Sequence, residues 1–491
     1  MRLKTKQPRN IKGLIIILLF IPISMISQDN KDRAQILVDN FIKSYNNEEY
    51  NSVFKLFSSD LKKELPIIEL TDFLQNLNSD AGKISNNEFI RFENNIWVYK
   101  LTFEKWISQY SFYVNENNEI SDVFYFDTFK EDIHSALAVN NLSNKEKLIS
   151  DNQIELIFEK SKFFPNNTQI SFAFINGKSV SYYGVIRQND SITYINNSKQ
   201  IFEIGSITKV FTANILANAV IENKIKLDDN INDYLNLEFN NNTQISFKSL
   251  GNHTSGLARM PSNFVDLPPS PDNPYKYYDE NYLEDFLINH LEIDNKNIGN
   301  PTYSNLGMGL LGYTLTNIYN LNYEDLFKKY IFSKHNMKNS TFDIKLVDEK
   351  IVKGLDAEGN FTSNWELAAL ASAGGILSSV SDLAKYGIAH FDKSNSDLIL
   401  LTKKTVKVNN QIDMGLGWHI LNSESSENKW HWHNGGTGGY TSSMAIDIKN
   451  KTGVIILSNV SAFNPFQNNI DELCFGLMMT FTDKNGKPYY N

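Results

Sequence analysis

The chain has 491 residues, 41% of them hydrophobic, enough to bury more than one core. Forty-seven basic residues stand against 56 acidic ones, a formal net charge of −9, and no basic cluster lies beyond the first dozen residues. That balance argues against a nucleic-acid binder working through a positive face, and a lone cysteine, Cys474, excludes an intrachain disulfide.

In chain order, MRLKTKQPRNIKG carries five positive charges and leads into LIIILLFIPISMIS, a 14-residue apolar run containing Pro22. A membrane span needs about 20 such residues. The stretch is expected to be a signal peptide, residues 1–27, that exports the protein to a periplasm or the medium; the alternative is an uncleaved N-terminal anchor. No cysteine comes just after it to carry a lipid.

Residues 29–130 are expected to form a small α+β domain. Apolar residues such as Ile36, Leu37, Phe41 and Ile42 recur with helical spacing, and then the runs FIRF, IWVYKLTF, YSFYV and DVFYFD alternate with Asn- and Glu-rich turns. Helices followed by an antiparallel meander resemble the cystatin-like, nuclear-transport-factor-like cones found beside exported enzymes. The polar stretch 131–150 is expected to be a linker, and 151–482 a second domain. That domain opens with a helix near 151–163 and the strands ISFAFING and SVSYYGVI. It closes with the strands GLGWHIL, KWHWHNGG, YTSSMAIDI and GVIILSNV, and a helix over roughly 466–481.

Three elements carry possible chemistry. S-x-x-K occurs four times, at Ser52/Lys55, Ser59/Lys62, Ser206/Lys209 and Ser426/Lys429. Only around Ser206 do apolar residues, at 207, 210, 211, 215, 216 and 220, mark the face of a helix, so that Ser206 and Lys209 are neighbours at its start. A serine needs a base to become a nucleophile, and a lysine serves as one only if its surroundings lower its pKa. A capping serine with a solvated lysine fits the spacing equally well. The second element is Tyr303-Ser304-Asn305, one of six Y-x-N matches, here leading into a glycine-spaced helix. The third, His433-Asn434-Gly435-Gly436, is the one H-x-G in the chain, and its glycines permit close backbone approach. His431 and His433 as metal ligands lack a carboxylate or cysteine partner at ligand spacing. A literal K-T-G, Lys451-Thr452-Gly453, lies between two strand-like runs and reads as a hairpin turn.

The order SITK, YSN 97 residues later and HNG 130 residues after that resembles the serine β-lactamase and penicillin-binding-protein superfamily. It is most similar to the branch with class C β-lactamases, D-alanyl-D-alanine carboxypeptidases carrying H-x-G, and family VIII esterases. LGNHTSGL, YSNLGMGLLGY, ASAGGILSSVSDLAKY and GLGWHI share the likeness, which spans roughly 150–480. It departs from class A, which would place S-D-N soon after the nucleophile. It departs from class C in having histidine where the third motif would have lysine. The resemblance implies an α/β (α+β) β-lactamase/transpeptidase-like domain: an antiparallel sheet flanked by helices, plus a helical lobe, with the site between them.

The resemblance further implies that Ser206 is acylated, that Lys209 accepts its proton, and that Tyr303 relays the proton to the leaving group and activates the deacylating water. Asn305 would orient Lys209 and the substrate amide. His433 would assist the relay or attract a substrate carboxylate. The amides of Ser206 and Gly436, beside Gly435, would form the oxyanion hole. No metal or organic cofactor is implied. The expected substrate is a small molecule or a peptidoglycan-derived amide or ester; a penicillin-binding sensor and a non-catalytic wall-associated module stay open as alternatives.

Overall fold

The structure, a computed structural model, describes residues 28–93, 96–104, 107–115, 117–125, 138–144, 147–422 and 429–482. The expected signal peptide, residues 131–137, 145 and 146 of the expected linker, and Ser426 of the fourth S-x-x-K lie outside the described residues. The chain divides into two compact units, Met1–Glu131 and Asp132–Asn491.

In the first unit four helices, Gln28–Asn46, Tyr50–Lys55, Ser59–Glu64 and Ile67–Ala81, precede four strands, β1 (Ile84–Glu93), β2 (Ile96–Phe103), β3 (Ile107–Val114) and β4 (Ile120–Tyr125). The strands pair in sequence order as an antiparallel meander. Aromatic edges close the core: Phe112 packs edge-on to Phe41 at 5.4 Å, and Phe103 edge-on to Tyr45 at 5.9 Å. The early S-x-x-K pairs are surface features, with Lys55 and Ser59 exposed and Lys62 Nζ donating to the Lys55 carbonyl.

The second unit is built on a ten-stranded sheet. Its strands are β5 (Val139–Asn141), β6 (Gln169–Asn176), β7 (Ser179–Gln188), β8 (Ser191–Tyr194), β11 (Val406–Lys407), β12 (Ile412–Met414), β13 (His419–Asn422), β14 (Lys429–Gly436), β15 (Thr441–Asp447) and β16 (Thr452–Ser458). The order is β11-β12-β13-β14-β15-β16-β6-β7-β8-β5, and every pair is antiparallel except β5 on β8. Part of the expected linker is therefore an edge strand. Its three residues are exposed, so no apolar periodicity marked it. Every residue of β15 and β16 is buried, because helix Val380–Ala389 packs on the sheet and so, with helix Asp151–Ser161 against it, does helix Asn469–Met478. Cys474 is buried under the last of these. A two-stranded pair, β9 (Phe202–Glu203) with β10 (Leu377–Ser378), leads into the Ser206 turn. Lys451 is exposed at the β15–β16 turn with φ of +57°, so the literal K-T-G is a hairpin.

The helical part centres on Thr208–Ile221. The sequence suggested one apolar face; instead 11 of its 14 residues are buried, because Asn305–Tyr319, Ser396–Thr402 and the stretch Ala368–Ala373 enclose it. A helix enclosed in this way carries apolar residues on every side, and its buried polar groups are bonded inside: Thr212 Oγ1 donates to the Ser372 carbonyl at 2.7 Å and Asn214 Nδ2 to Asp397 at 2.9 Å.

Candidate active site

The segment Gly205–Ile207 forms one 3₁₀ turn before the α-helix starts at Thr208. The helix is entered through Ile207 without a side-chain cap, so Ser206 is not the capping serine its position allowed. The turn leaves Ser206 partly exposed between two buried neighbours. Gly205 holds φ of +50°, and a Cβ on it would lie 2.6 Å from the Gly436 nitrogen. A Cβ on Gly435 would lie 2.8 Å from the Ser206 nitrogen and 2.1 Å from the Ile204 carbonyl oxygen. Glycine is needed at both positions, because the Ser206 turn and the end of β14 touch backbone to backbone. The pairing of β13 with β14 stops at Trp432, so His433–Gly436 is bonded in the sheet only to β15.

Lys209 is fully buried; its Nζ lies 2.9 Å from Ser206 Oγ and donates to the Ala373 carbonyl at 2.6 Å. Burial first, and then the charge of Arg259, hold its pKa well below the ordinary lysine value. An amine whose charged form is opposed in this way is a better proton acceptor than a solvated lysine. Tyr303 stands across it, with Lys209 Nζ 4.7 Å from the ring centroid. Burial pushes the Tyr303 phenol up to about 12, against opposing contributions from its hydrogen bond with Ser206 and from Arg259. Ser304 caps helix Asn305–Tyr319: its Oγ accepts the Gly307 N–H at 2.8 Å and donates to the Ala258 carbonyl at 2.7 Å. This fixes Tyr303 at the mouth of the helix.

His433 ends in a setting the sequence did not reveal. It is 1% exposed, its Nδ1–H donates to the Asn434 carbonyl at 2.6 Å, and its Nε2 has no partner. Burial, with His419 and Lys209 nearby, holds its pKa well below 6.5. Neutral at pH 7, it offers a ring nitrogen that can take a proton but no charge to attract a carboxylate. Its ring lies 6.3 Å from Tyr303 and 5.2 Å from His419. Asn305 turns away from Lys209: its Nδ2 meets Met260 Sδ at 3.8 Å, and it interacts with Tyr275.

The family model described as Beta-lactamase matches residues 171–473, more than half of the chain. The chain belongs to the beta-lactamase family. It is a serine hydrolase of the type that family contains. Residues 38–122 match a family described as a protein of unknown function, DUF3887. A beta-lactamase of Providencia stuartii is 27% identical over 43% of this chain and 52% of its own length. One of Pseudomonas fluorescens is 25% identical over 58% of this chain and 86% of its own. The D-alanyl-D-alanine-carboxypeptidase/endopeptidase AmpH of Escherichia coli is 24% identical over 59% and 78%. Among solved structures, a class C beta-lactamase matches with a TM-score of 0.56 at 20% identity, covering 69% of this chain and 97% of that one. An octameric penicillin-binding protein homologue from Pyrococcus abyssi matches at 0.53 and 24%, covering 65% and 75%. The family's fold is the one described above.

Ser206, Lys209, Tyr303, His433, Gly435 and Gly436 thus converge, while the Asn305 side chain points elsewhere. Sequence reasoning passed over His253, whose ring lies 4.7 Å from Tyr303 and whose Nδ1 accepts the Ser304 N–H at 3.2 Å. It also passed over His419 and Arg259. The two histidines sit inside NHTSGL and GLGWHI, stretches that carried the likeness without being read for chemistry. Glu203 was missed as well. It is buried, accepts from Asn364 Nδ2 at 2.7 Å and from the Trp365 N–H at 2.9 Å, and burial raises its pKa to about 7.

Proposed function

We propose that the protein cleaves amide or ester bonds through an acyl-enzyme on Ser206. The observation that carries this is the buried, neutral Lys209 amine 2.9 Å from Ser206 Oγ. As Oγ attacks the substrate carbonyl, its proton passes to Lys209 Nζ. The carbonyl oxygen takes the negative charge and is met by the amides of Ser206 and Gly436, which the close approach of Gly205 and Gly435 places side by side. Lys209 and Tyr303 act as a coupled pair: the phenol, protonated at neutral pH, gives its proton to the leaving group and recovers one from Lys209. A water then attacks the ester carbonyl of the acyl-enzyme, gives its proton to the same pair, and releases the product acid and Ser206. His433 Nε2 supports this relay as an acceptor.

The relatives are named beta-lactamases and a D-alanyl-D-alanine carboxypeptidase/endopeptidase, so the substrate is read as a β-lactam, a D-amino-acid peptide or a small ester. We also read residues 1–27 as an export signal, 29–130 as a separate domain and 151–482, joined by β5, as the catalytic one, working in a periplasm or outside the cell. Among the described residues no helix is long and apolar enough to cross a membrane.

Intact mass spectrometry after exposure to a penicillin and to an activated aryl ester tests the reading. The expected result is a transient adduct on Ser206, absent in Ser206→Ala. A permanent penicillin adduct without turnover would make the protein a sensor, and no adduct from either reagent would remove the acyl-enzyme.

A further inference from the structure

Arg259 is a charged group that the reaction above does not use in binding. Its backbone is held in place, because its carbonyl accepts the first amides of the Y-x-N helix, from Asn305 at 3.0 Å and Leu306 at 3.1 Å. Its side chain is exposed, and the guanidinium lies 5.1 Å from the Tyr303 ring centroid. Among the described residues no carboxylate pairs with it, whereas Arg187 pairs with Asp190, Lys334 with Asp397 and Lys404 with Asp413. In a chain of net charge −9, an exposed guanidinium with no carboxylate partner beside a reactive phenol is unusual. The other basic groups nearby, Lys209, His253, His419 and His433, are all buried or partly buried, and burial opposes their charged forms.

We infer that Arg259 receives a carboxylate on the substrate, the task the sequence had left open for His433. The inference rests on the acyl-enzyme reading. The chemistry favours arginine: its planar fork of N–H donors bonds both oxygens of a carboxylate. Stacked on Tyr303 and anchored through its own carbonyl, it is oriented before the substrate arrives.

The test uses two activated aryl esters identical except that one carries a free carboxylate where the other carries a primary amide. Both are assayed with the wild type, Arg259→Met and Arg259→Lys. The methionine variant loses the charge that lowers the Lys209 pKa, so both substrates slow. The ratio of kcat/KM, carboxylate over amide, is expected to fall by about tenfold or more in Arg259→Met, chiefly through KM, and to fall less in Arg259→Lys. A ratio unchanged in Arg259→Met would overturn the inference, however far both rates drop. Binding of an unreactive amide analogue bearing the carboxylate is measured by calorimetry in parallel. If the wild type hydrolyses neither ester and Ser206 stays unmodified, the acyl-enzyme reading fails, and the calorimetry decides the role of Arg259 separately. Weaker binding to Arg259→Met supports it, and equal binding overturns it.

Discussion

Lys209 Nζ sits between Ser206 Oγ at 2.9 Å and the Ala373 carbonyl at 2.6 Å, with no exposed surface of its own. A charged ammonium in this position would lack solvation; a neutral amine donates one N–H to Ala373 and turns its lone pair to the serine. The carbonyl therefore selects the orientation of the base, while burial and Arg259 oppose its charged form.

Lys209→Ala and Tyr303→Phe are each expected to lower kcat by on the order of a thousandfold, and the double variant to lose far less than the product, because the two share one proton. Multiplicative losses would separate their roles. With a neutral ester, kcat/KM should fall only on the acid side, as Lys209 takes up a proton. It should stay level from pH 8 to pH 10, because Tyr303 titrates at about 12. An alkaline decline near pH 9 would count against Tyr303 as a proton-bearing donor.

His433 offers a sharper test. A solvated histidine would change charge near pH 6.5, and a carboxylate substrate would lose rate relative to its neutral analogue between pH 6 and pH 8. Buried and held well below 6.5, His433 is already uncharged across that range. The rate ratio of the two substrates is expected to be flat, and a slope would show that His433 carries charge after all.

Much of this was legible from the chain itself. The meander of the first unit showed because aromatic residues alternate between Asn-rich turns, and the three motifs showed because their side chains are fixed at set spacings. The rest depends on burial and on backbone. The enclosed helix Thr208–Ile221 has no polar face to betray its orientation, and the Ala373 carbonyl has no sequence signature at all. Nothing in Ala-Arg-Met announces that Arg259 will lie over Tyr303. The exposed three-residue strand β5 is too short to show a period.

Lys451→Ala should leave kcat/KM within about twofold, since the side chain is exposed on a hairpin away from these residues. Gly435→Ala is the counterpart. Its methyl would press on the Ile204 carbonyl and the Ser206 amide, so kcat should fall by about a hundredfold or more, with circular dichroism little changed. If Lys451→Ala were the damaging change, the literal K-T-G would be the third motif.

Acid should weaken the fold before it touches the surface ion pairs. Six histidines, His253, His335, His390, His419, His431 and His433, have pKa values lowered by burial, to about 4 at His335, His419 and His431. Three of them line one core: His335 packs on Tyr386, Tyr386 on His390, His390 on Trp418 and Trp418 on His431. In the unfolded chain each takes a proton near pH 6.5, while in the folded one it stays neutral, so stability drains away as pH falls from 6.5 towards 4. Glu203 and Asp471 pull the other way, because their folded values are raised to about 7 and about 6 and they gain protons on folding in that window. Six against two decides the sign. Unfolding free energy from denaturant titration is expected to drop by more than about 2 kcal/mol between pH 7 and pH 5. His390→Phe, which removes one titrating ring from this packed row, should make the drop smaller. Equal stability at the two pH values would mean that these rings are hydrated in solution.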